Sequence, residues 1–170
     1  MGDPAMAALQ IVTILPLIAL LGAAALHDAA FRTVPNWISL GLACSGLALR
    51  ALHHDLLPGL AAAAGLFALL ALLWMRGLLG GGDVKLAGAA ALAMPPAAVP
   101  GFVLAVSVAG GVLALLYLLL SLVVPRPAPG ARRSLPARLL KAEAWRVHRR
   151  GPLPYAAAIA AGCLFTLLPG

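Results

Sequence analysis

The stretch "LLGGGDVKL", Leu78 to Leu86, places three glycines, an aspartate and a lysine between two runs of almost pure hydrocarbon. The chain around it is 63% hydrophobic and 10% charged, with a mean hydropathy of +1.02. Soluble domains carry roughly 25% charged residues, so apolar runs at this density predict transmembrane helices. A carboxylate that is kept in such a chain needs a chemical reason.

Six apolar segments predict an all-α polytopic membrane bundle of about six transmembrane helices, in a single domain that spans residues 1–170. A span needs ~20 residues to cross ~30 Å of hydrocarbon, so the second, fourth and sixth segments must tilt or thin the bilayer. Pro95-Pro96 interrupts the fourth segment near its end. The segments are about Ala7–His27, Trp37–Leu52, Leu57–Trp74, Val84–Val99, Gly101–Val124 and Pro154–Leu168.

The positive charges predict the orientation of the chain in the lipid bilayer. A basic loop at about 125–153 holds eight of the 12 lysines and arginines, and cytoplasmic loops carry such an excess. With six spans, the loops that hold Arg32, Arg76 and Lys85 lie on the same side, and only Arg50 lies opposite. No basic soluble module with helix-turn-helix or aromatic patterning is visible, so a nucleic-acid partner is not expected.

Two of the acidic residues, Asp28 and Asp83, lie at the membrane edge on the predicted cytoplasmic side. Taken singly, Asp83 has the position of a helix N-cap, and Asp28 can pair with Arg32 one helical turn on. Asp55 precedes Pro58 in a short outward turn, where we expect a solvated side chain. Acids at membrane depth are costly and usually functional, so two on one side of a small bundle predict a functional site.

Two carboxylates that face each other form a known catalytic device. Like charges at close range cannot both ionise easily, so one stays protonated near neutral pH. The pair can then activate a water against a peptide carbonyl without a metal or an organic cofactor. Asp83 begins the fourth helix and Asp28 lies near the end of the first, so the helix dipoles predict an ionised Asp83 and a protonated Asp28.

Three motifs carry a resemblance to a known family. They are Asp28-x-x-x-Arg32-x-x-Pro35-Asn36 in "HDAAFRTVPNWIS", Gly80-x-Gly82-Asp83-x-Lys85 in "GGGDVKL", and Pro154-Tyr155 in "GPLPYAAAIAAG". Together they resemble the type IV prepilin peptidases, in the short form of the tight-adherence pilus branch. The larger family members carry paired C-x-x-C motifs in a methyltransferase domain. This chain has only Cys44 and Cys163, so methyltransferase activity is not expected.

The resemblance implies a membrane aspartic endopeptidase with Asp28 and Asp83 as its catalytic residues. It would remove basic leaders from prepilins, after a glycine, at the cytoplasmic face of the bacterial inner membrane. Pilus or secretion assembly proteins would be further partners. The resemblance also implies a set of substrate-binding or supporting residues, which comprises Arg32, Pro35, Asn36, Gly80, Gly82, Lys85 and Tyr155.

Other functions use the same two aspartates or neither. A proton- or cation-coupled transporter subunit would place them on a polar path through the membrane. A noncatalytic assembly protein would tolerate aspartate-to-asparagine changes. A protease that cuts within helices would share the chemistry but not the substrate, and the motif around Asp28 and Arg32 favours prepilins.

The charge bias predicts that Arg126–Arg150 faces the cytoplasm and that both chain ends face outward. Cysteine labelling from each side of the membrane, or reporter fusions at each loop, measures this directly. A cytoplasmic C-terminus would contradict the prediction, because it would require an odd number of spans.

Overall fold

The computed structural model describes residues 4–124 and 153–167, and in this part of the chain it contains six α-helices and no strand. The helices are α1 (Pro4–Phe31), α2 (Asn36–Leu52), α3 (Leu56–Met75), α4 (Gly81–Leu92), α5 (Val99–Val123) and α6 (Tyr155–Leu167). The predicted all-α membrane bundle is confirmed. The predicted basic loop, except for its last residue, lies outside the described residues.

The helix ends follow local chemistry. Arg32 ends α1 in the left-handed conformation, with φ 57°, and Gly77 takes φ 72° after α3. Pro35 has an extended backbone and caps the start of α2. The predicted fourth helix was too long: α4 stops at Leu92, because Pro95-Pro96 cannot continue it. A short 3₁₀ turn over Pro96–Ala98 then leads into α5.

Helix length separates the bundle into two groups. Three stretches among the described residues are long and apolar enough to cross a membrane, namely Ile14–Phe31, Leu56–Met75 and Pro96–Val123. In contrast, α4 has 12 residues and α6 has 13, which correspond to about 18–20 Å. These two helices are therefore enclosed by longer neighbours, and their first turns lie at the end of the bundle where the polar motifs meet.

The short helix α4 lies at the centre of the packing. It contacts α2, α3 and α6, while α1 packs on α2 and α6, and α5 packs on α6. Its run from Leu86 to Ala91 is buried throughout and consists of leucine, alanine and glycine. Small residues let helix backbones approach closely in a membrane, so the composition of α4 suits its central position.

Two glycines mark the closest helix contacts. A Cβ at Gly46 of α2 would lie 2.8 Å from the backbone carbon of Leu92, and one at Gly162 of α6 would lie 2.7 Å from the backbone nitrogen of Val106. Real Cβ atoms do not approach backbone atoms that closely, so any larger side chain would push the helices apart. These contacts hold α2 against α4 and α6 against α5.

A buried ion pair closes the other end of the bundle, away from the aspartates. Arg50 is 4% exposed, and its Nη1 donates to Oδ2 of Asp55 at 2.6 Å. Its stem packs on Gly59, where an added Cβ would lie 2.8 Å from Cδ of Arg50. Its Nη2 reaches the carbonyl oxygen of Ala93 at 3.5 Å. The expectation of a solvated Asp55 is wrong, because this carboxylate neutralises a buried guanidinium.

We expect Asp55→Ala to lower the free energy of unfolding by about 1–3 kcal/mol, the usual cost of a buried polar group that loses its partner. Asp55→Asn should cost less, because its amide oxygen still accepts a hydrogen bond from Arg50. Thermal unfolding of the purified variants in detergent measures both. Equal unfolding temperatures for Asp55→Ala and the unmodified chain would contradict a structural role for the pair.

Candidate active site

A cavity of about 560 Å³ lies at the end of the bundle where α1 ends and α2, α4 and α6 begin. Most of the site residues predicted from sequence line this cavity, although they come from four separate parts of the chain. They are Asp28, Arg32, Asn36, Gly80, Gly82, Asp83, Lys85 and Tyr155. Pro35 does not line it, but its position at the start of α2 orients Asn36 toward it.

Asp28 occupies the last turn of α1 and is 6% exposed. Its Oδ2 accepts a hydrogen bond from the backbone N–H of Ala156 at 3.1 Å. Ala156 is the second residue of α6, and the first N–H groups of a helix have no partner within it. The carboxylate of Asp28 therefore satisfies one free donor of α6 and ties the two helices together.

This contact changes the helix-dipole argument for an asymmetric pair of acids, and which acid holds the proton stays a prediction. Asp28 was expected to meet only the negative end of α1, but it also lies at the positive end of α6. Asp83 lies at the positive end of α4. Both carboxylates therefore lie at a helix N-terminus, which favours negative charge, and the helix ends alone do not decide which acid holds the proton.

Asp83 is the third residue of α4, and Gly80 is the N-cap residue. The carboxyl group turns back over Gly80, so that a Cβ at this glycine would lie 2.9 Å from Oδ2 of Asp83. A side chain in the third helical position that reaches back to the N-cap is one half of a capping box. Gly80 thus provides the space that the carboxylate occupies. At Gly82 an added Cβ would make only ordinary contacts, at 3.9 Å from Val34.

The two aspartates interact through space. Both line the cavity, and the charge of Asp28 acts on Asp83. The charge of Asp83 acts in turn on Tyr155, whose ring packs against Gly110 of α5. Two acids that line one cavity have the arrangement in which a proton can be shared between carboxylates.

The basic side chains of the cavity have fixed partners. Arg32 donates from Nη2 to the hydroxyl oxygen of Tyr117 at 3.1 Å, and its guanidinium lies over the Tyr117 ring at 5.8 Å from the centroid. Lys85 donates from Nζ to Oδ1 of Asn36 at 3.2 Å. The backbone of Arg32 has the left-handed conformation, which residues other than glycine seldom adopt. Residues with such a strained backbone concentrate at functional sites.

Sequence reasoning did not identify two of these contacts. Tyr117 of α5 holds Arg32, and the backbone of Ala156 holds Asp28. The second had a sequence signal, since Pro154 precedes the helical pattern and predicts a helix start with free N–H groups. The contact between Tyr117 and Arg32 had no sequence signal, because no local pattern relates a tyrosine late in α5 to the turn after α1.

The comparison with protein families agrees with the motifs. A sequence model described as the type IV leader peptidase family matches residues 15–115, more than half of the 170-residue chain. The matched region contains both aspartates and ends within α5. Searches of curated proteins and of solved structures gave no match. The family and the three apolar helices make this a membrane protein with a peptidase function of the leader-peptidase kind. On this match, and as the motifs around Asp28 and Asp83 predict, the chain belongs to the type IV leader peptidase family.

Proposed function

We propose that this protein is an aspartic endopeptidase of the bacterial inner membrane. In this proposal it removes basic leader peptides from type IV prepilins of the tight-adherence kind, on the cytoplasmic side and after a glycine. Asp28 and Asp83 are the catalytic residues. The observation that carries the proposal is that these two acids, from different helices, line one cavity.

The chemistry follows from one proton shared between two carboxyl groups. The ionised carboxylate takes a proton from a water molecule as that water attacks the scissile carbonyl carbon. The protonated carboxyl donates a hydrogen bond to the carbonyl oxygen. The tetrahedral intermediate then collapses, the C–N bond breaks, and the leaving amine takes the proton that the first carboxylate removed from the water. The amine becomes the new N-terminus of the pilin, and the pair returns to its shared-proton state.

The remaining residues of the cavity position the substrate in this proposal. Gly80 and Gly82 leave the N-cap and the first turn of α4 without side chains, which lets an extended peptide backbone approach Asp83. Arg32 and Lys85 supply positive charge beside the carboxylates and are held by Tyr117 and Asn36. The ring of Tyr155 lines the cavity close to Asp83. No step requires a metal or an organic cofactor.

The cytoplasmic orientation rests on charge. The cavity lies at the end of the bundle that carries Arg32, Arg76 and Lys85, and at the opposite end Arg50 is neutralised by Asp55. Positive charge therefore accumulates on the side of the aspartates, as it does in cytoplasmic loops. A basic leader held at that face would reach the cavity without crossing the bilayer.

A transporter that moves protons or cations through the same aspartates is the alternative. It needs polar groups along a path across the membrane. In residues 4–124 and 153–167 the only acid besides Asp28 and Asp83 is Asp55, which is paired with Arg50 at the far end. This distribution of acids favours a reaction at one face of the membrane over transport across it. Co-expression with candidate prepilins, read by loss of the leader on a gel, separates the two functions.

We expect Asp28→Asn and Asp83→Asn each to abolish leader removal while the protein still inserts into the membrane. The reason is that each carboxyl group has a separate role in the shared-proton mechanism. Leader removal is measured on a gel, normalised to the amount of enzyme in the membrane fraction. Substantial processing by either variant would exclude an aspartic-peptidase mechanism.

Asp55→Asn is the matched control for these two variants. It makes the same chemical change in an acid that does not line the cavity, and its amide oxygen still accepts from Arg50. We expect processing to persist when it is normalised in the same way. Loss of activity in all three variants would point to a general effect on the fold.

We expect Gly80→Ala to lower the rate of leader removal by on the order of 10–100-fold, since a displacement of about 1 Å in a catalytic group has effects of this size. The added methyl would take the space of the Asp83 carboxylate. Gly65→Ala on α3 is the control, because its methyl would meet no atom within 4 Å. Initial rates of prepilin cleavage in detergent measure both, and equal rates would contradict the steric argument.

A further inference from the structure

A second cavity, of about 760 Å³, opens on the side of the bundle. It is a groove between α2 and α3, which both pack on α4, so that α4 forms its floor. Gly88 and Ala89 lie in the floor, Leu40 and Ala43 in the α2 wall, and Ala64 and Phe67 in the α3 wall. The groove is therefore apolar, and its floor consists of small residues.

The groove is continuous with the proposed catalytic cavity. Asn36 and Lys85 line both, and the hydrogen bond between their side chains marks the place where one space meets the other. From this polar end the groove runs along α4 to Leu92, a distance of about 10 Å or two helical turns. Whatever occupies the groove has one end at the catalytic residues.

The groove faces lipid rather than water. Its α3 wall belongs to the membrane span Leu56–Met75. The large side chains at its rim are exposed, with Leu40 at 66% and Phe67 at 45% of their surface. In hydrocarbon a peptide must satisfy its own backbone hydrogen bonds, so only a helix can lie there. The ring of Phe67 lies over Gly88, where an added Cβ would lie 2.8 Å from Cδ2 of Phe67, so a helix in the groove would pack on Phe67 and beside Ala89.

We propose that this groove binds the segment of the prepilin that directly follows the cleaved bond, and that this segment lies in the groove as an apolar helix. The inference rests on the proposed function and names the surface that selects the substrate. The basic leader stays at the cytoplasmic face, so the part of the substrate that enters the membrane is the part after the cut. Its helix lies in the groove with its N-terminal end at Asn36 and Lys85, and the extended chain before it crosses into the cavity of Asp28 and Asp83.

The remaining described cavity that touches an aspartate does not serve this purpose. It has a volume of about 230 Å³ and lies among α3, α4, α5 and α6, where Asp83 and Tyr155 form part of its wall. This space is too small for a helix. The groove between α2 and α3 is larger than this space.

The test uses the prepilin that the enzyme cuts in the co-expression experiment, and a short peptide from the same prepilin that spans the cut but lacks the apolar segment. Ala64→Phe fills the groove from an exposed position of α3. Ala61→Phe makes the same change at an exposed alanine of the same helix that does not line the groove. Cleavage rates are measured with purified enzyme in detergent and in proteoliposomes.

We expect Ala64→Phe to lower kcat/KM for the whole prepilin at least about tenfold, which corresponds to 1.4 kcal/mol, through a higher KM. Cleavage of the short peptide should be unchanged, and Ala61→Phe should cut both substrates normally. Equal kcat/KM of Ala64→Phe and the unmodified enzyme for the whole prepilin would overturn the docking site and leave the proposed function intact. An unmodified enzyme that cuts no prepilin would overturn both.

A second measurement decides the matter if Ala64→Phe loses activity on both substrates through misfolding. A photo-crosslinking amino acid replaces Leu40 at the groove rim in an otherwise intact enzyme, and Leu104 on the lipid-facing side of α5 serves as the control. We expect crosslinks from position 40, but not from position 104, to the apolar segment of the bound prepilin. Crosslinks from position 40 to lipid only, or to a second copy of the enzyme, would overturn the proposal.

Discussion

The close approach of three helices to α4 is the constraint on which the rest of the structure depends. The run from Leu86 to Ala91 is buried although it carries few large side chains. Its stabilisation therefore comes from close backbone packing, such as that of Gly46 against Leu92. The first turn of this helix, which is about 18 Å long, lines the cavity together with the end of α1 and the starts of α2 and α6.

That space gathers the ends of helices, and helix ends supply its chemistry. The first turns of α4 and α6 lie at the cavity, and a carboxylate lies at each, where the positive end of the helix dipole favours it. Asp28 binds the start of α6, and Asp83 folds back over Gly80. Each acid therefore stabilises the N-terminus of a helix in addition to its proposed catalytic role. The cap contacts hold the carboxyl groups still, and preorganised groups are what catalysis requires.

Polar side chains in two other parts of the bundle form hydrogen bonds with each other. Arg50 pairs with Asp55 at the far end, and Lys85 binds Asn36 where the groove meets the cavity. The two aspartates differ from these pairs, because they line one cavity together. An arrangement that brings two acids together is costly in a membrane. The proposed shared-proton mechanism explains why this chain retains it.

The sequence by itself determined the all-α bundle, most of the helix bounds, the family, and the common side of Asp28 and Asp83, because hydropathy, proline and glycine signals and motifs act over short stretches of chain. Only the tertiary structure decided that Ala156 holds Asp28, that Tyr117 holds Arg32, that Asp55 is paired with a buried arginine, and that a groove joins the cavity. These contacts link residues of different helices or a turn with a buried side chain. They depend on how closely small residues let the helices pack, and no local pattern encodes that distance.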